Sequence, residues 1–246
     1  MKAIIMILIC ASQISVAMQD TAAVRTDTLD QSRADDDRHY VFSTRTVHVT
    51  RFNGTIGMSL TILPQPLTEY PTPAPMLDVR WRLAFPFGLE GYGRVGSNLA
   101  TSIAKMGALF SRNIGPASLG LGYSASFVYG NITYIDGFNT TQQRWINQPM
   151  VCTSWQFDNV TISARAELEF ITSLDQRIED QVVASNANSF TGGSLTIAVE
   201  QPFWHNTHVA LGVTFSNSSN PYQAWFLYNT FKDRLFSTEF FVGFIL

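Results

Sequence analysis

The chain has 246 residues, a formal net charge of -3 and 14% charged residues, well below the share of about a quarter usual in soluble proteins. Nothing in it is basic enough or clustered enough to bind nucleic acid. No run beyond residue 17 approaches the length of apolar sequence needed for a membrane-spanning helix, so any membrane location requires a closed barrel.

Residues 1–17 read as a secretory signal. Lys2 supplies the positive start, Ala3 to Ala11 the apolar stretch, and Ser15-Val16-Ala17 a small-residue cleavage site. Cys10 would suit a lipid-anchor signal, but Ile9 stands before it where a small residue is required. Cleavage leaves Cys152 without an intramolecular partner. Residues 18–39 are polar and acidic, with Asp35-Asp36-Asp37 and little apolar periodicity, and are expected to form a disordered leader.

From residue 40 to residue 246 the period is two. Leu77, Val79, Trp81, Leu83, Phe85 and Phe87 alternate with Asp78, Arg80 and Arg82. Leu119, Leu121, Tyr123, Ala125, Phe127 and Tyr129 alternate with Gly120, Gly122, Ser124 and Ser126. The same pattern holds at 160–170 (Val160, Ile162, Ala164, Ala166, Leu168 and Phe170 against Arg165, Glu167 and Glu169), at 195–203 (against Thr196, Ala198 and Glu200) and at 207–215. These runs match the roughly nine to eleven residues of a tilted membrane-spanning strand better than the five or six of a soluble one. Further strands are expected at 40–51, 56–63, 150–157, 221–231 and 236–246. Between 88 and 112 the pattern is ambiguous, because Leu99, Ile103, Met106 and Phe110 would equally line one face of a helix. Long connections are expected at 64–76, 131–149 and 174–191. Tyr129, Tyr134, Trp145, Phe203, Trp204, Tyr222 and Tyr228 lie near expected strand ends, as aromatic girdles do.

In the last stretch, Phe236, Phe240, Val242, Phe244 and Leu246 share one face. Ser237, Glu239 and Gly243 share the other, with Phe241 and Ile245 as exceptions. This resembles the terminal strand of bacterial outer-membrane β-barrel proteins, which the barrel-assembly machinery reads as an alternating apolar segment ending in an aromatic residue. Phe244 fits two places from the end, while the final Leu246 departs from that pattern. The resemblance implies an all-β fold: an antiparallel up-and-down transmembrane β-barrel of 8–12 strands in a Gram-negative outer membrane, monomeric and inserted through Phe236 to Leu246. Counted back from Leu246, however, the long connections fall on the periplasmic side, where such barrels keep short turns. One strand more or fewer among the last few would correct this.

If the apolar face meets lipid, the other face lines the interior. It carries Asp78, Arg80, Arg82, Arg165, Glu167, Glu169 and Glu200, with Lys105 a further candidate. Mixed charges in a narrow interior are expected to pair into a structural network, since an unpaired buried charge costs far more than a paired one. An ion or ligand path is the alternative. Catalysis finds little support: His205 and His208 point to opposite faces of a strand, no Gly-x-Ser-x-Gly elbow occurs, and no Cys/His set has metal spacing. No cofactor is expected. Asn53, Asn131, Asn139, Asn159 and Asn217 begin Asn-x-Ser/Thr sequons, which a chain rich in Asn turns and Thr strands makes by chance. The expected role is structural, surface-binding or that of a narrow channel. The rival is a secreted soluble β-sandwich, such as an adhesin or carbohydrate-binding module, which would also alternate.

Overall fold

The computed structural model describes residues 40–47, 50–135, 138–157, 159–179, 181–186, 188–204, 207–226 and 233–245. The expected signal and leader, 1–39, lie outside these residues, as do His205, Tyr228 and Leu246. Among the described residues eleven strands follow in chain order: β1 (Arg51–Ile62), β2 (Pro73–Ala84), β3 (Leu89–Ser97), β4 (Thr101–Ile114), β5 (Ala117–Ile135), β6 (Phe138–Phe157), β7 (Val160–Ile178), β8 (Gln181–Asn186), β9 (Ser189–Trp204), β10 (Thr207–Ser218) and β11 (Leu235–Ile245).

Each strand pairs antiparallel with its neighbour, and β1 pairs with β11 from Thr55↔Ile245 to Ile62↔Thr238. β8 and β9 both pair with β7, so together they form one stave, kinked where Asn188 takes a left-handed φ of 57°. The result is a closed up-and-down barrel of ten staves. A sheet closed on itself has no second sheet to pack against, which rules out the β-sandwich architecture.

Closure turns the two-residue period into an outside and an inside. In β2, Leu77 and Val79 are exposed while Asp78, Arg80 and Arg82 are buried; in β11, Phe236, Phe240, Val242 and Phe244 are exposed while Glu239 is buried. An apolar exterior around a polar interior inverts a soluble protein and is the arrangement of a membrane barrel. Aromatic pairs mark both rims of the apolar band. Phe203 and Phe244 stand at one rim, and Phe127–Trp145, Phe170–Phe190 and Phe215–Phe236 at the other. Tyr222, expected in a girdle, instead lies inside the barrel.

The ambiguous stretch 88–112 forms β3 and β4, not a helix. Gly91 and Gly93 occupy outward-facing positions of β3 beside the ring of Trp81, so no row of large apolar side chains announces the strand. The expected connections 131–149 and 174–191 are largely strand. β5 and β6 run 19 and 20 residues, and β7 runs 19, standing beyond the neighbouring β4 and β10. The register shift at Trp145/Ile146 passes over Thr172 and breaks the alternation of β7 there, so Ile171 and Leu174, three apart, both face inward.

Two expected strands do not form. Residues 40–47 join no ladder, and the first stave begins at Arg51. In 221–231, Tyr222–Ala224 make a 3-10 turn and 227–231 lie outside the described residues. β10 and β11 pair directly from Ser218↔Leu235, leaving no place for a strand between them. That removes one strand from the count and corrects the sidedness. The end of β11 now shares a rim with the short connections 85–88, 115–116, 158–159 and 205–206. Gly115, at φ 60°, makes one of these turns possible. The connections 63–72 and 219–234 and the tips of the tall β5–β6 and β7–β8 hairpins lie at the opposite rim. These are called the short-turn and long-loop ends below.

Candidate functional site

A ten-stave barrel is wider than the roughly eight staves whose side chains alone fill the interior. Here backbone fills the remainder from both ends. At the short-turn end, residues 40–44 cross the lumen almost fully buried. Away from a ladder, their amides need other acceptors. Glu200, itself 0% exposed, accepts from Val41 N at 2.6 Å, Phe42 N at 3.1 Å and Ser43 N at 3.0 Å. Three consecutive N–H groups wrapped round one carboxylate form an anion nest. Thr44 N donates to Ser154 Oγ at 2.8 Å, and Arg82 Nη2 donates to the Arg45 carbonyl at 2.6 Å. Phe42 stacks on Phe241 at 4.9 Å, and Val41 packs with Ile245, Ala198 and Ala210. The two apolar exceptions on the inner face of β11 therefore face this segment.

At the long-loop end, the β10–β11 connection turns inward. The indole of Trp225 lies against Gly130, where a Cβ would come within 2.1 Å of the ring, and its Nε1 donates to Thr101 Oγ1 at 2.9 Å. Gln176 Nε2 donates to the Trp225 carbonyl at 3.2 Å, and Arg144 Nη1 to the Asn220 carbonyl at 2.7 Å. Tyr222 donates its hydroxyl to Glu239 and packs on an apolar collar of Met76, Ile103, Val128, Ile146, Ile171 and Leu174.

Between the two obstructions lies a charged layer. Arg80 reaches Asp78 at 2.7 Å and Glu239 at 3.4 Å, while Arg94 reaches the same two carboxylates at 3.0 and 2.5 Å. Lys105 binds Glu167 at 2.6 Å, and Arg82 binds Glu90 at 2.7 Å. Arg165 stacks over the Tyr92 ring at 4.6 Å, and Arg80 over Phe241 at 4.0 Å. Among the described residues the interior presents Arg80, Arg82, Arg94, Lys105, Arg144 and Arg165 against Asp78, Glu90, Glu167, Glu169, Glu200 and Glu239, equal numbers of each sign. A cavity of about 110 Å³ remains in this layer, reached by Arg94, Lys105, Arg144, Arg165, Glu167, Glu169, Tyr222 and Glu239.

All seven charges expected inside face inward, together with Lys105. Asp78 with Arg80, and Glu167 with Lys105, form ion pairs; Arg82 pairs with Glu90. Glu200 binds backbone amides, not a cation, because alternation assigns a face and cannot name a partner. Glu90 and Arg94 fall in the stretch of ambiguous period, and Arg144 in an expected connection, so alternation does not assign them a face. Glu239 shares the expected inner face of β11 and joins the ion pairs as a further member. His208 faces inward on β10. Asn53 is 3% exposed inside the barrel, so its sequon is inaccessible in the folded chain.

No family model and no curated protein matches the chain. Among solved structures it is similar to variants of the porin of Rhodopseudomonas blastica. One variant is 7% identical with a TM-score of 0.23, and another is 8% identical with a TM-score of 0.22; each match covers 80% of this chain and 100% of the porin chain. At that overlap the fold rests on the closed ladder of the chain itself.

Proposed function

We propose that this chain is a small bacterial outer-membrane β-barrel that works with a closed lumen, as a structural or surface-binding barrel and not as an open diffusion pore. The observation that carries the reading is the double obstruction: residues 40–44 at one end, Asn220 to Trp225 at the other, and an ion-paired layer between them. The apolar exterior with aromatics at both rims supports a membrane setting. The gathering of short turns at the rim where β11 ends supports the outer-membrane orientation, with Phe236 to Leu246 as the segment that engages the assembly machinery. The tall β5–β6 and β7–β8 hairpins would then stand outside the cell as the surface available to a partner. No catalytic residue is assigned.

Fractionation tests the location. The chain should sediment with the outer membrane, require detergent for extraction and migrate faster unboiled than boiled; recovery in the aqueous fraction overturns the membrane reading. Planar-bilayer recording tests the closed lumen. Purified protein should give no steady single-channel conductance, and large steady openings would refute closure while leaving the membrane reading intact.

A further inference from the structure

Residues 40–46 cross the short-turn end of the lumen without joining a ladder, and they precede the first stave, so their departure would break no strand pairing. Barrel side chains hold them instead, through one main-chain atom of each of seven consecutive residues. Asn53 Nδ2 donates to the Tyr40 carbonyl at 2.8 Å. Glu200 accepts from the amides of Val41, Phe42 and Ser43, and Ser154 Oγ accepts from Thr44 N at 2.8 Å. Arg82 Nη2 donates to the Arg45 carbonyl at 2.6 Å, and Asn113 Oδ1 accepts from Thr46 N at 3.1 Å. These five side chains converge from β1, β2, β4, β6 and β9.

Side-chain recognition is narrower. The Phe42 ring stacks on Phe241 and lies beneath the Arg80 guanidinium at 5.2 Å, in a recess walled by the small inward residues Gly57, Ala210 and Gly243. Ser43 and Thr44 are fully enclosed, which leaves no room for larger side chains at either position. Main-chain hydrogen bonds for affinity and one pocket for specificity are how receptors hold extended peptides. Because the contacts fall on atoms every residue carries, a different peptide can make them. Proline is excluded wherever the N–H is used, at positions 41–44 and 46. An empty site would take three amides from the buried Glu200 carboxylate at once, so replacement is favoured over vacancy.

We propose that the short-turn end is a binding site for an extended peptide, filled by the chain's own residues 40–46 and open by exchange to a segment of another protein. That segment carries an aromatic residue followed by two small ones, and no proline. The tether holds the chain's own segment at an effective concentration of about millimolar, so a partner enters by exceeding that or after the segment is cut. Only the periplasmic address of the partner rests on the outer-membrane reading.

The test uses the full chain, with a protease recognition sequence in place of residues 48–50, refolded in nanodiscs and cut there after folding. The probe is a fluorescent, end-capped peptide with the sequence of Tyr40 to Thr46. The cut barrel should release its own fragment to excess probe and take up one probe per chain, and the uncut barrel should take it up at least about tenfold more weakly. N-methylation of the probe at Ser43, which removes one donor to Glu200, should weaken uptake about tenfold or more, and so should Phe42→Ala in the probe. Glu200→Ala in the barrel should abolish saturable uptake. Where that variant does not fold by unboiled gel mobility, the methylated probe on the unaltered barrel decides. Retention of the cut fragment against excess probe overturns the proposal, as does equal affinity for the methylated probe. Either result leaves sedimentation and conductance as they were, so it is distinct from failure of the outer-membrane reading.

Discussion

Glu200 shows what a single inward-facing residue does in this barrel. Its carboxylate anchors a segment more than 150 positions away in sequence, accepting from three consecutive amides that no strand partner satisfies. Glu200→Ala leaves those three N–H groups buried without acceptors, at about 1 kcal/mol or more each. The expected loss is therefore about 3 kcal/mol of unfolding free energy, read by urea titration in lipid vesicles. Glu200→Gln keeps one acceptor oxygen and should lose less. Equal stability of both variants and the parent would show that residues 40–44 are not held this way. The inward face of Glu200 is legible in the sequence because neighbours on the same strand alternate with apolar residues. Its partner is not, because period two carries no information about which backbone crosses the lumen. Phe241 and Ile245 hold the missing signal: inward apolar residues on an otherwise polar inner face need an apolar partner inside the barrel.

At the scale of elements, the β10–β11 connection is the part most readily misread. The run around Trp225 has the composition of a strand, yet Tyr222, Ala224 and Trp225 are turned into the barrel, not outward. Composition alone cannot distinguish an apolar segment that faces lipid from one packed inside, and this one miscount inverts the sidedness of every loop. The reverse holds for β3, where outward-facing glycines hide a stave, and for the tops of β5 to β7. There the sequence mixes polar residues such as Thr140, Gln142 and Gln143 with inward apolar ones such as Ile132 and Leu174, so the period fades although the backbone ladder continues. The seat of the connection is specific enough to test. Gly130 leaves the space that the Trp225 indole fills, and Thr101 accepts its N–H. Gly130→Val should expel the ring and Trp225→Ala should empty the socket. Either change should speed proteolytic cutting within 219–234 by about tenfold or more, the effect of lowering a local opening free energy by about 1.4 kcal/mol. Unboiled gel mobility should be unchanged, because the closing ladder β1–β11 does not pass through this loop. Cutting at the parent rate in both variants would show that the socket does not hold the loop.

For the whole molecule, the two obstructions stand in series along one lumen, with the ion-paired layer between them. Series barriers have a definite signature, because flow is set by the highest barrier that remains and removal of one leaves the other in control. Excising 40–47 removes the short-turn obstruction but leaves Tyr222 bonded to Glu239 and Trp225 on Gly130. Replacing Ser219 to Asp233 by a two-residue turn removes the other, but leaves Val41 to Ser43 on Glu200 and Phe42 on Phe241. Each single variant should therefore stay silent in planar bilayers, and only the combined variant should show steady conductance. In that variant the layer of Asp78, Arg80, Arg94 and Glu239 becomes the wall of the passage. Its equal numbers of each sign predict weak selectivity between potassium and chloride, measured as a reversal potential near zero in a salt gradient. Steady conductance from either single variant would mean that one obstruction alone seals the barrel. Silence of the combined variant, with the barrel shown folded by gel mobility, would mean that the ion-paired layer itself is the seal.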